Sequence, residues 1–393
     1  PAAPPPPPDF KAGLAAYRRG DFAAALDEFR PLAEDGQANA QNNLAFMYDE
    51  GHGVTRDHGE ALRWYRKAAE QGVANARARL GIMYAEGLGV GEDRDEAAKW
   101  TGMAAEQGVA NAQARLGAMF AEGRGVTTDH IAAAKWTRMA AKQGFAEAQS
   151  RLGDIYDEGR GVPVNHVEAL KWYQLAGEQG VVEAQTRLGY KYDEGVGVTQ
   201  DLAAAAKWYR KAAEQGFAAA QVTLGYMYDE GHGVLVDRAE ALRWYRMAGE
   251  QGVAKAQVRL GYMYDEGLGV PQDYGEAAKW YRMAAEQGVA QAQHDLANMY
   301  SHGQGVAQDH GEAAKWYQKA AEQGRTAAQT NIGLMYADGL GVPRDYVQAH
   351  MWWSLAANQG DQGAAFAREA VWIMMTPAEI AEAENLVREW TPK

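Results

Sequence analysis

The sequence predicts an all-α fold, a solenoid of helix-turn-helix units, and three observations carry that prediction. Gly36, Gly72, Gly108, Gly144, Gly180, Gly216, Gly252, Gly288, Gly324 and Gly360 recur every 36 residues. Trp64, Trp100, Trp136, Trp172, Trp208, Trp244, Trp280, Trp316 and Trp352 keep the same period. No insertion shifts either series. A fixed period of this length marks units that bury their apolar faces only by stacking on their neighbours. A chain of 393 residues would otherwise suggest about two or three globular domains; the unbroken period predicts a single array instead.

The elements follow in order. Residues 1–8 are a proline-rich linker, extended and without core residues. They read as a trimmed spacer behind an export signal, which places the protein in a bacterial periplasm or outside the cell, with the cytoplasm as the alternative. Residues 9–36 form a shortened helix pair that caps the array. Its turn, Arg19-Gly20-Asp21, spells a cell-adhesion tripeptide, but glycine for the turn and aspartate for the next helix cap account for it.

Residues 37–360 hold nine repeats. In the repeat Phe217–Gly252, Phe217 to Glu230 reads as helix A, with Ala220, Leu224, Met227 and Tyr228 on one stripe. Gly231 and Gly233 stop it, since glycine takes left-handed dihedrals at little cost. Val234 recurs in every repeat and plugs the loop into the core. Asp237 opens helix B. With Glu240 it has capping-box spacing, the Asp accepting from first-turn amides and the Glu reaching back. Ala241, Trp244 and Ala248 form the packed face of helix B, small residues allowing close approach and the indole filling the gap. Residues 361–393 form the C-terminal cap. The pattern dissolves over 362–375, and Thr376-Pro377-Ala378-Glu379 then starts a helix whose stripe is Ile380, Ala383, Val387 and Trp390.

Composition excludes several classes. A net charge of −13 repels phosphate backbones, so nucleic acid is not an expected partner. No apolar stretch reaches transmembrane length. The absence of cysteine rules out disulfides, thiolate zinc sites and cysteine nucleophiles. The Gly-x-Gly pairs are not phosphate loops: they follow helices, lack a Lys-Ser/Thr, and recur in all nine repeats.

The repeated string AxAQxxLGxMYDEGxGVxxDxxEAxxWYRxAAEQG resembles the Sel-one-like repeat family, relatives of the tetratricopeptide repeats. Ala256, Gln257, Leu260, Gly261, Met263, Tyr264, Gly267, Gly269, Val270, Asp273, Ala277, Trp280, Tyr281, Ala284, Ala285 and Gly288 carry the resemblance in one repeat. It implies a right-handed α-α superhelix with helix A on the concave side, and adaptor roles that in bacteria often follow export. A cysteine-rich branch linked to penicillin binding is not matched here, because this chain has no cysteine.

Positions that vary between repeats can serve a ligand. Repeats five to seven share Tyr190 with Asp193, Tyr226 with Asp229, and Tyr262 with Asp265 on helix A. Thr186, Val222 and Val258 lie one turn earlier, and Arg187 and Arg259 flank them. This reads as a tyrosine patch edged by carboxylates, suited to a peptide or protein segment with basic groups; the plainer alternative is that the tyrosines pack only on neighbouring helices. Repeat eight differs, with His294, Asn298 and His302 at four-residue steps and Asp295 and Ser301 beside them. Two histidines eight apart are too distant to share a metal unaided, so this reads as a polar stretch of groove. His52, His58, His130, His166, His232 and His310 lie in or beside the A–B loops and read as solvated.

An enzyme needs a nucleophile, an acid–base pair or a metal that stands out from the repeat. Ser150, Ser301 and Ser354 are the only serines, and none begins a Ser-x-x-Lys motif. The expectation is a non-enzymatic interaction scaffold without cofactor or metal. The alternative is an envelope hydrolase or a cell-wall or β-lactam-binding protein acting through repeat eight.

Overall fold

The computed structural model describes residues 7–392. Residues 1–6 of the proline-rich linker lie outside the described residues. Among the described residues there are 22 α-helices and no strand. They fall into two compact blocks, one ending at Gln200 and one beginning at Asp201.

In the first block Phe10–Arg18 pairs with Phe22–Glu34. Repeats one to four follow as Ala38–Glu50 with His58–Glu70, Ala74–Glu86 with Arg94–Glu106, Ala110–Glu122 with His130–Lys142, and Ala146–Glu158 with His166–Glu178. Val182–Glu194 closes this block. The second block starts with Leu202–Glu214. Its repeats are Ala218–Glu230 with Arg238–Glu250, Ala254–Glu266 with Tyr274–Glu286, Ala290–His302 with His310–Glu322, and Thr326–Asp338 with Tyr346–Asn358. Gln362–Trp372 and Pro377–Glu389 then pack on Tyr346–Asn358. Residues 362–372 are therefore a regular helix capped by Asp361, where the sequence pattern suggested dissolution. The helix lost the repeat's signature residues but kept a cap and a buried seam at Ala364 and Val371.

Local chemistry explains the helix ends. Gly231 takes φ +73° and caps helix A; at Gly233, φ +75°, a Cβ would also fall 2.4 Å from the Leu202 carbonyl oxygen. The second glycine is thus required twice, by its dihedral and by the close approach of the preceding helix B. Asp237 accepts from the amides of Ala239 and Glu240 at 3.1 and 3.0 Å. Glu240 does not reach back as the spacing suggested. It accepts from Arg243 at 3.0 Å, one turn on, because a charge-assisted bond outcompetes a neutral amide. The reciprocal box forms at Thr376 and Glu379.

Between helices, small residues admit large ones. A Cβ on Gly261 would sit 2.6 Å from the Tyr281 ring, so the glycine is what lets this tyrosine in. Buried glutamines tie successive helices together. Gln257 donates to the Gly249 carbonyl at 3.0 Å and accepts from Gln287 at 2.7 Å. Gln41, Gln113, Gln149, Gln221, Gln293 and Gln329 make the same pair of contacts. In repeat two, Arg77 stands in and donates to the Ala69 carbonyl at 3.0 Å.

Candidate functional site

The variable face of helix A rests on a recurring ion-pair rung. An aspartate near the end of one helix A meets an arginine 30 residues on: Arg79 Nε donates to Asp49 Oδ2 at 2.5 Å, and Arg259 Nε to Asp229 Oδ2 at 2.7 Å. Both aspartates are buried. Helix B adds two more groups. Tyr65 donates its hydroxyl to Asp49 at 3.4 Å, and burial, followed by the Asp49 charge, pushes its pKa up. His58 Nδ1 lies 3.0 Å from Asp49, and Arg238 Nε takes the equivalent place 3.9 Å from Asp229.

Repeat five rewires the rung. Lys191 occupies the core position that Met227 and Met263 fill elsewhere, is buried, and bonds Asp157 together with His166. Burial pushes the Asp157 pKa up, but the hydrogen bonds from Lys191 and His166 outweigh it and hold the pKa below the ordinary value. Arg187 turns instead to Asp154, at 3.6 Å.

These contacts revise the expected roles of several residues. Asp229 is a buried rung carboxylate, not an exposed groove edge, because Arg259 and Arg238 neutralise it inside the fold. Arg259 is committed to Asp229, to Glu230 at 3.3 Å and to the face of Tyr262 at 5.1 Å. Val222 is buried and Val258 half-buried. Asp193 and Asp265 are half-buried, and the Thr186 hydroxyl returns to the Val182 carbonyl at 2.9 Å. His52 is half-buried rather than solvated: it stacks on Phe22 at 4.5 Å and meets the Tyr17 hydroxyl at 2.7 Å.

The tyrosines themselves are open. Tyr226 and Tyr262 are 51% and 41% exposed and, in the second block, border one groove of about 440 Å³. Val222 and Val258 line it, with Lys255, Gln291 and Asp295. Tyr190, 50% exposed, belongs to the first block. At the edge of the groove lies a charge anomaly that the tyrosine pattern alone does not reveal. Thirty residues after Asp265 stands Asp295 in place of the rung arginine. Burial, then the charges of Glu266 and Asp295, raise the Asp265 pKa. The signal was present in the sequence, but only a known 30-residue pairing makes it readable.

In repeat eight His294 packs on the Tyr317 ring at 5.7 Å and lies 3.0 Å from Asp295 and 3.3 Å from Asn331. His302 instead donates to the Asn298 carbonyl at 2.8 Å. Among the described residues no three His, Asp or Glu side chains converge to hold a metal ion. Nothing in this network supports the hydrolase alternative.

The Sel1 repeat pattern matches residues 38–73, 74–109, 110–145, 146–181, 182–217, 218–253, 254–289, 290–324 and 326–361. The chain belongs to the Sel1 repeat family. It is similar to a protective antigen of uropathogenic Escherichia coli that displays this fold, at 34% identity over 93% of this chain and 94% of that one, with a TM-score of 0.55. A Sel1 repeat protein from Oxalobacter formigenes is also 34% identical, over 81% of this chain and 93% of that one, with a TM-score of 0.61. No curated protein matches the chain. Sel1 repeat proteins generally act as protein-interaction scaffolds and are typically not catalytic. Among the described residues no helix is long and apolar enough to cross a membrane.

Proposed function

We propose that this Sel1 repeat protein is a non-enzymatic scaffold that holds a peptide segment with basic groups against helix A of repeats six to eight. The observation that carries this reading is Asp265 set against Asp295, a carboxylate pair where repeats one and six join an acid to a base. The neighbouring Asp295 charge opposes ionisation of the half-buried Asp265, and a cation from a partner relieves it. The exposed rings of Tyr226 and Tyr262 supply apolar area with a polar tip at low entropy cost. Helices outside the matched repeats, at 9–36 and 361–393, serve as caps. An exported setting suits the likeness to a protective antigen.

A fluorescein-labelled Arg-Ala repeat peptide, titrated by anisotropy, tests the reading. Asp295→Arg restores the ordinary rung and so preserves the fold. Binding at least tenfold weaker in Asp295→Arg, and in Tyr226→Ala/Tyr262→Ala, is the expected result. Equal affinity for all three proteins would sink the proposal.

A further inference from the structure

The first block carries the inverse anomaly. In repeats two and three the rung aspartate is replaced by Ala85 and Ala121, while the arginines 30 residues on, Arg115 and Arg151, remain. The helix-B tyrosine is replaced in the same two repeats, by Thr101 and Thr137. Where the Tyr173 and Tyr281 rings stand over a helix-A glycine, the much shorter Thr137 stands over Gly117, its hydroxyl 2.5 Å from where a Cβ would fall. A cavity of about 350 Å³ results, lined by Ala85, Arg94, Arg115, Arg124, Thr137 and Arg151 among others.

Its charge runs against that of the whole chain. Four arginines line it against Glu92 and Glu147, although the protein carries −13 overall. Arg94 and Arg124 pair with exposed glutamates beside them in sequence, and Arg115 reaches Glu86 only at 3.8 Å. Arg151 has no hydrogen-bond or ion-pair partner among the described residues. The Thr137 hydroxyl, completely buried in the cavity wall, also has none.

We infer that this cavity binds an acidic peptide segment, whose Asp or Glu carboxylate takes the place of the missing rung aspartate. The incoming carboxylate accepts from Arg151 and Arg115. Guanidinium groups suit this task because their fork of donors matches a carboxylate's two oxygens. The site is separate from the tyrosine groove and opposite to it in charge preference.

The test uses the full chain and a fluorescein-labelled Asp-Gly repeat peptide, followed by anisotropy at low and moderate salt. Ala121→Asp supplies Arg151 with the carboxylate that repeats one and six already contain, so it restores a rung and keeps the fold. Thr137→Tyr fills the cavity with the side chain most repeats use. Each is expected to weaken binding at least tenfold, as is Arg151→Ala, while Asp295→Arg leaves it unchanged. Equal binding by wild type and Ala121→Asp would overturn the inference. Succinate displacing the peptide at equal concentration would overturn the peptide assignment, since a small dicarboxylate would then suffice.

Discussion

Arg259 and Asp229 lie 30 residues apart in sequence, on the helices A of consecutive repeats, and meet at 2.7 Å with the carboxylate buried. The pair is a joint between repeats, not part of either one. Removing the arginine strands a charge away from water. Arg259→Met is expected to cost about 2–3 kcal/mol, below the range for a fully buried pair because a third of the Arg259 side chain still meets solvent. Urea denaturation monitored by circular dichroism gives the value; a change under 0.5 kcal/mol would mean the pair is dispensable.

Asp157 predicts a pH dependence. Its folded pKa is held below the unfolded value by Lys191 and His166. Its contribution is therefore complete above the unfolded carboxylate pKa, near about 4, and is lost as pH falls through the lowered folded value. Asp157→Asn should destabilise by about 1–2 kcal/mol at pH 7 and by less near pH 2.5. Parallel melts at the two pH values compare these outcomes, and an equal penalty at both would contradict the assignment.

Asp265 predicts the opposite slope. Its folded pKa is raised, so the ionised carboxylate opposes folding, and the stability it withholds returns as pH falls through that raised value. Asp265→Asn should raise the melting temperature at pH 7 and leave it unchanged at pH 3.5. A basic peptide should bind wild type more tightly as pH rises through the same interval, and Asp265→Asn should flatten that rise in anisotropy titrations.

The glutamine ladder predicts a structural penalty with no loss of ligand chemistry. Gln257→Leu takes one of two partners from the Gly249 carbonyl, which keeps the Gly252 amide, and removes the partner of the exposed Gln287 amide. Losing these two hydrogen bonds should cost about 1–2 kcal/mol. Equilibrium unfolding measures it, and an unchanged midpoint would show that water replaces the glutamine freely.

Overpacking gives the last prediction. Gly261→Ala puts a methyl group 2.6 Å from the Tyr281 ring, which should cost about 1–3 kcal/mol. Combining it with Tyr281→Thr, the residue type found at 101 and 137, should recover part of that loss. A thermal melt of the single and double variants decides this.

Much of the fold is legible in the sequence. Helix starts at Asp237 and Thr376, stops at Gly231, and the Trp244 face follow from capping, dihedral freedom and period, all set by residues a few positions apart. The helix at 362–372 escaped because its cap, Asp361, lacks the repeat context that marks the others. For the candidate sites, exposed Tyr226 and Tyr262 were readable as departures between repeats. The burial of Asp229, the commitment of Arg259 and the significance of Asp295, Ala121 and Thr137 were not.

The amino-acid sequence by itself determined the class of fold, the period, the helix boundaries within the repeats and the absence of cysteine chemistry, because each depends on local spacing or on composition. Only the tertiary structure decided which acid meets which base. That choice depends on how one helix A is laid against the next, which makes residues 30 apart into neighbours and turns a missing aspartate into a cavity and a surplus one into a charged groove.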